Sequence, residues 1–122
     1  MSSNNTSPLV TGSILFSKEL SSFSGATANV YLEDVSLVDA PSKIITKQVI
    51  PNISHQMGTE NQIEFALFGE MPNPPAKYSI SVQVTLHEDE SIHQGDYINM
   101  ESYPVLTFGN PDRISVLVQE VK

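Results

Sequence analysis

GATANVYLEDVSLVDAP, residues 25 to 41, sets small or apolar side chains at Ala26, Ala28, Val30 and Leu32 against polar or amphipathic neighbours. A period of two over that length is the signature of a half-buried strand, because successive side chains point to opposite faces. The alternation returns at Tyr78, Ile80, Val82, Val84 and Leu86, and again at Ile114, Val116 and Val118. No stretch of ten or more residues carries apolar positions at three- and four-residue spacing behind a cap. The chain is therefore expected to be all-β: a seven- to eight-stranded antiparallel β-sandwich of immunoglobulin- or transthyretin-like character.

Working outward, strands are predicted over 9–16, 26–36, 43–50, 62–68, 77–87, 97–108 and 113–121. Pro51 is expected to stop the third, since it removes a backbone donor, and Pro104 to interrupt the sixth. The strand at 77–87 is the longest regular one, and its five inward side chains predict a central position. Residues 69–75, with Pro72, Pro74 and Pro75, cannot pair in a sheet and suit a crossing between two sheets. Residues 1–8 are polar and aperiodic, which predicts a disordered leader before a single domain over 9–122.

The length of 122 residues supports one core rather than two. A charged fraction of 16% against 39% hydrophobic residues favours collapse over disorder. The absence of cysteine removes disulfides, thiolate metal sites and cysteine nucleophiles. A formal net charge of −8 repels phosphate backbones and anionic lipid headgroups, so neither nucleic acid nor direct membrane insertion is expected. The sequence as written opens without a basic and apolar leader, which predicts a cytoplasmic location, with the cell envelope as the alternative if a leader was removed.

Further residues carry a resemblance. Gly12, the run SGATANVYLEDVSLVDAP at 24–41, Ile63-Glu64-Phe65-Ala66-Leu67, Lys77-Tyr78-Ser79-Ile80 and Ser102-Tyr103-Pro104-Val105-Leu106-Thr107 together resemble the YbaY/YscW family of small β-sandwich lipoproteins. The similarity runs from about residue 9 to the C-terminus. Its motifs are core-strand patterns, informative about fold and nearly silent about chemistry. It implies binding rather than catalysis: members from type III secretion systems act as pilotins that escort a secretin to the outer membrane. This sequence has no lipobox and no cysteine to acylate.

Candidate sites are few. His87-Glu88-Asp89-Glu90, with His93 and Asp96, forms the densest polar cluster, but its spacing matches no recognised metal loop. A solvated tip that keeps strand edges from pairing elsewhere is the favoured reading, and no metal or cofactor is expected. No G-x-S-x-G elbow is present, and Glu33 and Asp34, adjacent on a strand, point to opposite faces. No catalytic residue is therefore assigned and the chain is expected not to be an enzyme. Tyr31, Phe68 and Tyr97 fall off the inward register of their neighbours and form the candidate exposed aromatic platform. The leading expectation is a monomeric adaptor or chaperone-like domain that binds a protein segment at a sheet edge or hydrophobic groove. The alternative is a small-molecule binder for glycans or lipids, using those three aromatics.

Overall fold

The computed structural model describes residues 8–37, 39–69, 76–87 and 92–122. Eight strands follow in order: β1 Val10–Phe16, β2 Phe23–Asp34, β3 Lys43–His55, β4 Asn61–Leu67, β5 Tyr78–Thr85, β6 Tyr97–Asn99, β7 Pro104–Val105 and β8 Arg113–Glu120. They hydrogen-bond along one path, β3-β2-β5-β6-β8-β1-β4, with β7 also on β5. The expected leader and the proline-rich crossing fall almost wholly outside the described residues.

The all-β reading holds, whereas the antiparallel sandwich is corrected to a nearly closed, barrel-like sheet. Two features cause this. Thr11 to Leu15 of β1 pair in parallel with Arg113 to Leu117 of β8. Then β8 changes partner, and Val118 to Glu120 pair antiparallel with β6. One strand thus carries the sheet around its corner, where a sandwich would leave two separate layers. No hairpin joins β1 to β8, so nothing local forces them to run antiparallel.

Inside the wall, the alternating positions predicted from sequence form the core. Ala26, Ala28, Val30, Val82, Val84 and Val116 are fully buried. Register explains the fit: Ala28 faces Val84, Val30 faces Val82 and Leu32 faces Ile80 across β2 and β5. The predicted fifth inward residue of β5 fails, because the strand ends at Thr85 and Leu86 is exposed. Its central position is confirmed, with β2 on one side and β6 and β7 on the other.

Three boundaries moved for identifiable reasons. β2 begins at Phe23 because the register slips between Phe23 and Ala26, and Gly25 at φ 68° supplies the bulge. β3 runs through Pro51 to His55, since it lies at an end of the path, where a missing donor is tolerated, and Asn52 at φ 59° forms a compensating bulge. The predicted sixth strand breaks at 100–103 rather than at Pro104, which itself pairs with Ser79. Across that gap the Asn99 side chain replaces backbone: its Oδ1 accepts the Val82 N–H at 2.9 Å and its Nδ2 donates to the Glu101 carbonyl at 2.8 Å.

On the outer face of β4, β1 and β8, the Ser13 hydroxyl donates to Glu64, and Gln62 and Arg113 donate to the same carboxylate at 3.0 and 2.9 Å. The hydroxyl, then Arg113 and Gln62, pull the Glu64 carboxyl down to about 2. Within the wall, a Cβ on Gly12 would meet the Phe65 ring at 2.7 Å and run into the Ile114 carbonyl oxygen. Gly12→Ala is therefore expected to destabilise the fold by about 2 to 3 kcal/mol through overpacking, read from the urea midpoint. An unchanged midpoint would refute this packing.

Candidate functional site

The structure does not assemble the predicted aromatic platform. Tyr97 pairs across β5 with inward-facing Val84 and stacks its ring 5.1 Å from Phe23, leaving it 2% exposed. Burial, then Glu120 and Asp96, raises its phenol pKa. Tyr31 does point away from Val30 and Leu32, but it lies across the wall between Lys47 and Ser81 and is only 9% exposed. Of the three residues, Phe68 alone is exposed. Tyr31 and Tyr97 occupy opposite faces of the wall, so no common surface joins them.

At the polar tip, only His87, His93 and Asp96 of the cluster fall among the described residues. Residues 88–91 lie outside the described set, and among the described residues no group of three His, Asp or Glu side chains could hold a metal ion. Asp96 is 2% exposed and works inward. Its carboxylate accepts the His93 N–H at 2.8 Å, the Leu86 N–H at 3.2 Å and the His87 Nε2 at 2.8 Å. Burial opposes its ionisation, yet these donors outweigh that penalty and hold the carboxyl below its ordinary range. His87 and His93 meet edge to face, with ring centroids 4.1 Å apart. Asp34 accepts the Ser36 N–H at 2.9 Å and so holds the turn after β2.

Two surface features remain. The first is the seam between β3 and β4, the two ends of the strand path. These strands come alongside each other, but among the described residues no backbone ladder joins them. Instead the Gln48 Oε1 accepts the Ala66 N–H at 2.8 Å, and the Thr46 hydroxyl donates to the Phe68 carbonyl at 2.8 Å. One acceptor and one donor, two residues apart, are what a neighbouring strand would offer β4. Ile44, Val49 and Phe68 lie exposed on the strands and the chain beside this seam.

The second is a cleft of about 210 Å³ lined by Val35, Lys77, Tyr78, Ser79, Ser102, Pro104, Phe108 and Asn110. The loop after β7 presents Phe108 there at 67% exposure. Leu106, Phe108 and Gly109 all have positive φ, of 73°, 58° and 82°. Such geometry at non-glycine residues costs energy and persists only where surroundings impose it. Here the Thr107 hydroxyl donates to the Ala76 carbonyl at 2.6 Å, and the Asn110 side chain donates to the Thr107 carbonyl at 2.8 Å. Sequence reasoning placed Phe108 at the end of a strand and missed it. The available signal was the adjoining Gly109-Asn110-Pro111 turn, which puts Phe108 at a turn entry.

A family model described as type III secretion system lipoprotein chaperone (YscW) matches residues 5–118. Among solved structures, the chain is similar to an alternative pilotin from the type II secretion system of Vibrio cholerae. Sequence identity is 23%, the TM-score is 0.68, and the match covers 93% of this chain and 96% of that one. At that identity the likeness is one of fold. No curated protein matches.

Asp96→Asn keeps the shape at the tip but can turn an amide donor towards the His93 N–H. The expected cost is about 1 to 3 kcal/mol at neutral pH. Because the folded-state carboxyl titrates below its ordinary 3.8, its contribution is present above that pH and lost as pH falls through the lower, folded value. Urea denaturation of both proteins should show a gap at pH 7 that narrows below pH 3.8. Equal stability at neutral pH would rule out this role.

Proposed function

The chain belongs to the type III secretion system lipoprotein chaperone (YscW) family, and from that membership we propose that it is a non-enzymatic, pilotin-like binder of a protein segment at the cell envelope. The seam is the observation that carries the reading. Ala66 of β4 and Phe68 just beyond it offer backbone groups that are satisfied by side chains of β3, and a client strand supplies the same bonds from its backbone. Addition of an extended segment to a sheet edge draws affinity from main-chain hydrogen bonds and specificity from alternate side chains. Ile44, Val49 and Phe68 provide exposed apolar contacts for those side chains. Gln48 and Thr46 act as placeholders that keep β4 satisfied when no client is bound.

The net charge of −8 favours a client segment of basic or neutral character. It also fits a protein role over one on anionic membranes. Membership of a family of lipoprotein chaperones, together with a fold shared with a pilotin, supports an envelope setting over a cytoplasmic one.

A photo-crosslinking amino acid at Val49 or Phe68, compared with one at Leu117 on β8, tests the reading in native cells. A discrete adduct to one envelope or secretion protein from the seam positions, absent from position 117, is expected. Adducts of equal yield from all three positions would refute the seam as the docking edge. Thr46→Val with Gln48→Ala removes the placeholders and is expected to strengthen crosslinking severalfold. Unchanged yield from that folded variant would also count against it.

A further inference from the structure

The cleft beneath Phe108 has a chemistry of its own, whether or not the seam takes a client. In a chain of net charge −8, the sole charged side chain lining it among the described residues is a cation, Lys77. The backbone that carries it is fixed by two bonds: the Lys77 N–H donates to the Ser36 hydroxyl at 2.8 Å, and the Lys77 carbonyl accepts the Val35 N–H at 2.8 Å. The same bonds hold Val35 as one apolar wall, with Pro104 and Phe108 as the others and buried Tyr78 beneath. Ser79 adds a hydroxyl whose oxygen accepts the Tyr103 N–H at 3.3 Å and whose proton is left to donate. The nearby acid, Asp34, is turned to Ser36 and has Lys43 beside it, and its charge reaches Tyr78 at the base of the cleft.

We infer that this cleft binds a small amphipathic monocarboxylate, a short or medium acyl chain with one carboxylate head. Lys77 and the Ser79 hydroxyl receive the carboxylate, while Val35, Pro104 and Phe108 enclose the chain. The volume of about 210 Å³ suits a short to medium chain. A helix of about 10 Å diameter does not fit it. The left-handed backbone at Leu106 and Phe108 keeps the aromatic wall in place before any ligand arrives, which lowers the ordering cost of binding.

Amide-resolved NMR titration with octanoate, octanol and acetate separates the contributions. Octanoate is expected to shift the amides of Val35, Tyr78 and Phe108 and to bind roughly three- to fivefold tighter than octanol at low salt, the range of a partly exposed ion pair. Acetate should bind too weakly to saturate. Lys77→Met, an exposed substitution, should make octanoate and octanol equal, and Phe108→Ala should weaken both. Equal binding of octanoate and octanol to the native protein, or shifts centred elsewhere, would overturn the assignment. Tighter binding of N-acetyl-Leu-Phe-Asp-amide than of octanoate in the same cleft would overturn it in favour of a protein segment.

Discussion

A missing side chain governs the architecture. β1 lies between β4 and β8, and at Gly12 its backbone is overlaid by the Phe65 ring of β4 and approached by the Ile114 carbonyl of β8. Any Cβ there drives the three strands apart. Separation of β1 from β8 would reach further, because β8 continues past Leu117 to pair with β6 and so joins the β4-β1-β8 part of the wall to the β2-β5 part. The tight parallel contact and the corner in β8 are thus one device. Around it the buried aliphatic residues of β2 and β5 fill the interior at matched register.

Turning that corner brings β3 and β4 alongside each other without completing the ring. Their lengths differ, 13 residues against 7, and β3 is bulged near Asn52. A continuous ladder over the whole of β3 is therefore impossible. Full closure would remove every sheet edge, whereas β3 and β4 remain the ends of the described path and are managed by other means. Gln48 and Thr46 reach over to β4, and Pro51, Lys43 and Lys47 stand on β3, where proline and lysine blunt pairing with stray strands. An edge guarded in this way resists stray pairing.

Alternation alone made the core legible, because a buried strand face must repeat every second residue and Ala26 to Leu32 and Tyr78 to Val84 do so without interruption. Pairing was not legible. Whether β1 runs parallel or antiparallel to β8 depends on contacts between residues about 100 positions apart, and no local pattern encodes them. The site suffered from the same cause in miniature. Tyr97 sits on a strand of only three residues, too short to fix a face by counting, so its inward direction comes from Val84 and Phe23. Tyr31 was counted outward correctly, but side chains on the outer wall can lie flat and cover one another. Phe108 escaped because its exposure comes from backbone geometry at Leu106 and Phe108, which strand periodicity does not describe.

The conspicuous polar side chains divide by what they hold. Asp96 anchors the ends of β5 and the loop before β6, Asn99 replaces missing backbone across a break, and Glu64 ties three strands on the outer face. Buried His55 bridges the Leu20 carbonyl and the Asn61 amide at 3.2 and 2.9 Å, packed between Phe16 and Phe23. Asp96, Asn99 and His55 thus keep irregular backbone and buried polar groups satisfied, while Glu64 joins neighbouring strands through side chains alone. What stays available is backbone at the edges of β3 and β4, and apolar surface at Ile44, Phe68 and Phe108. Those are the materials of recognition, and the proposed binding at the seam rests on them.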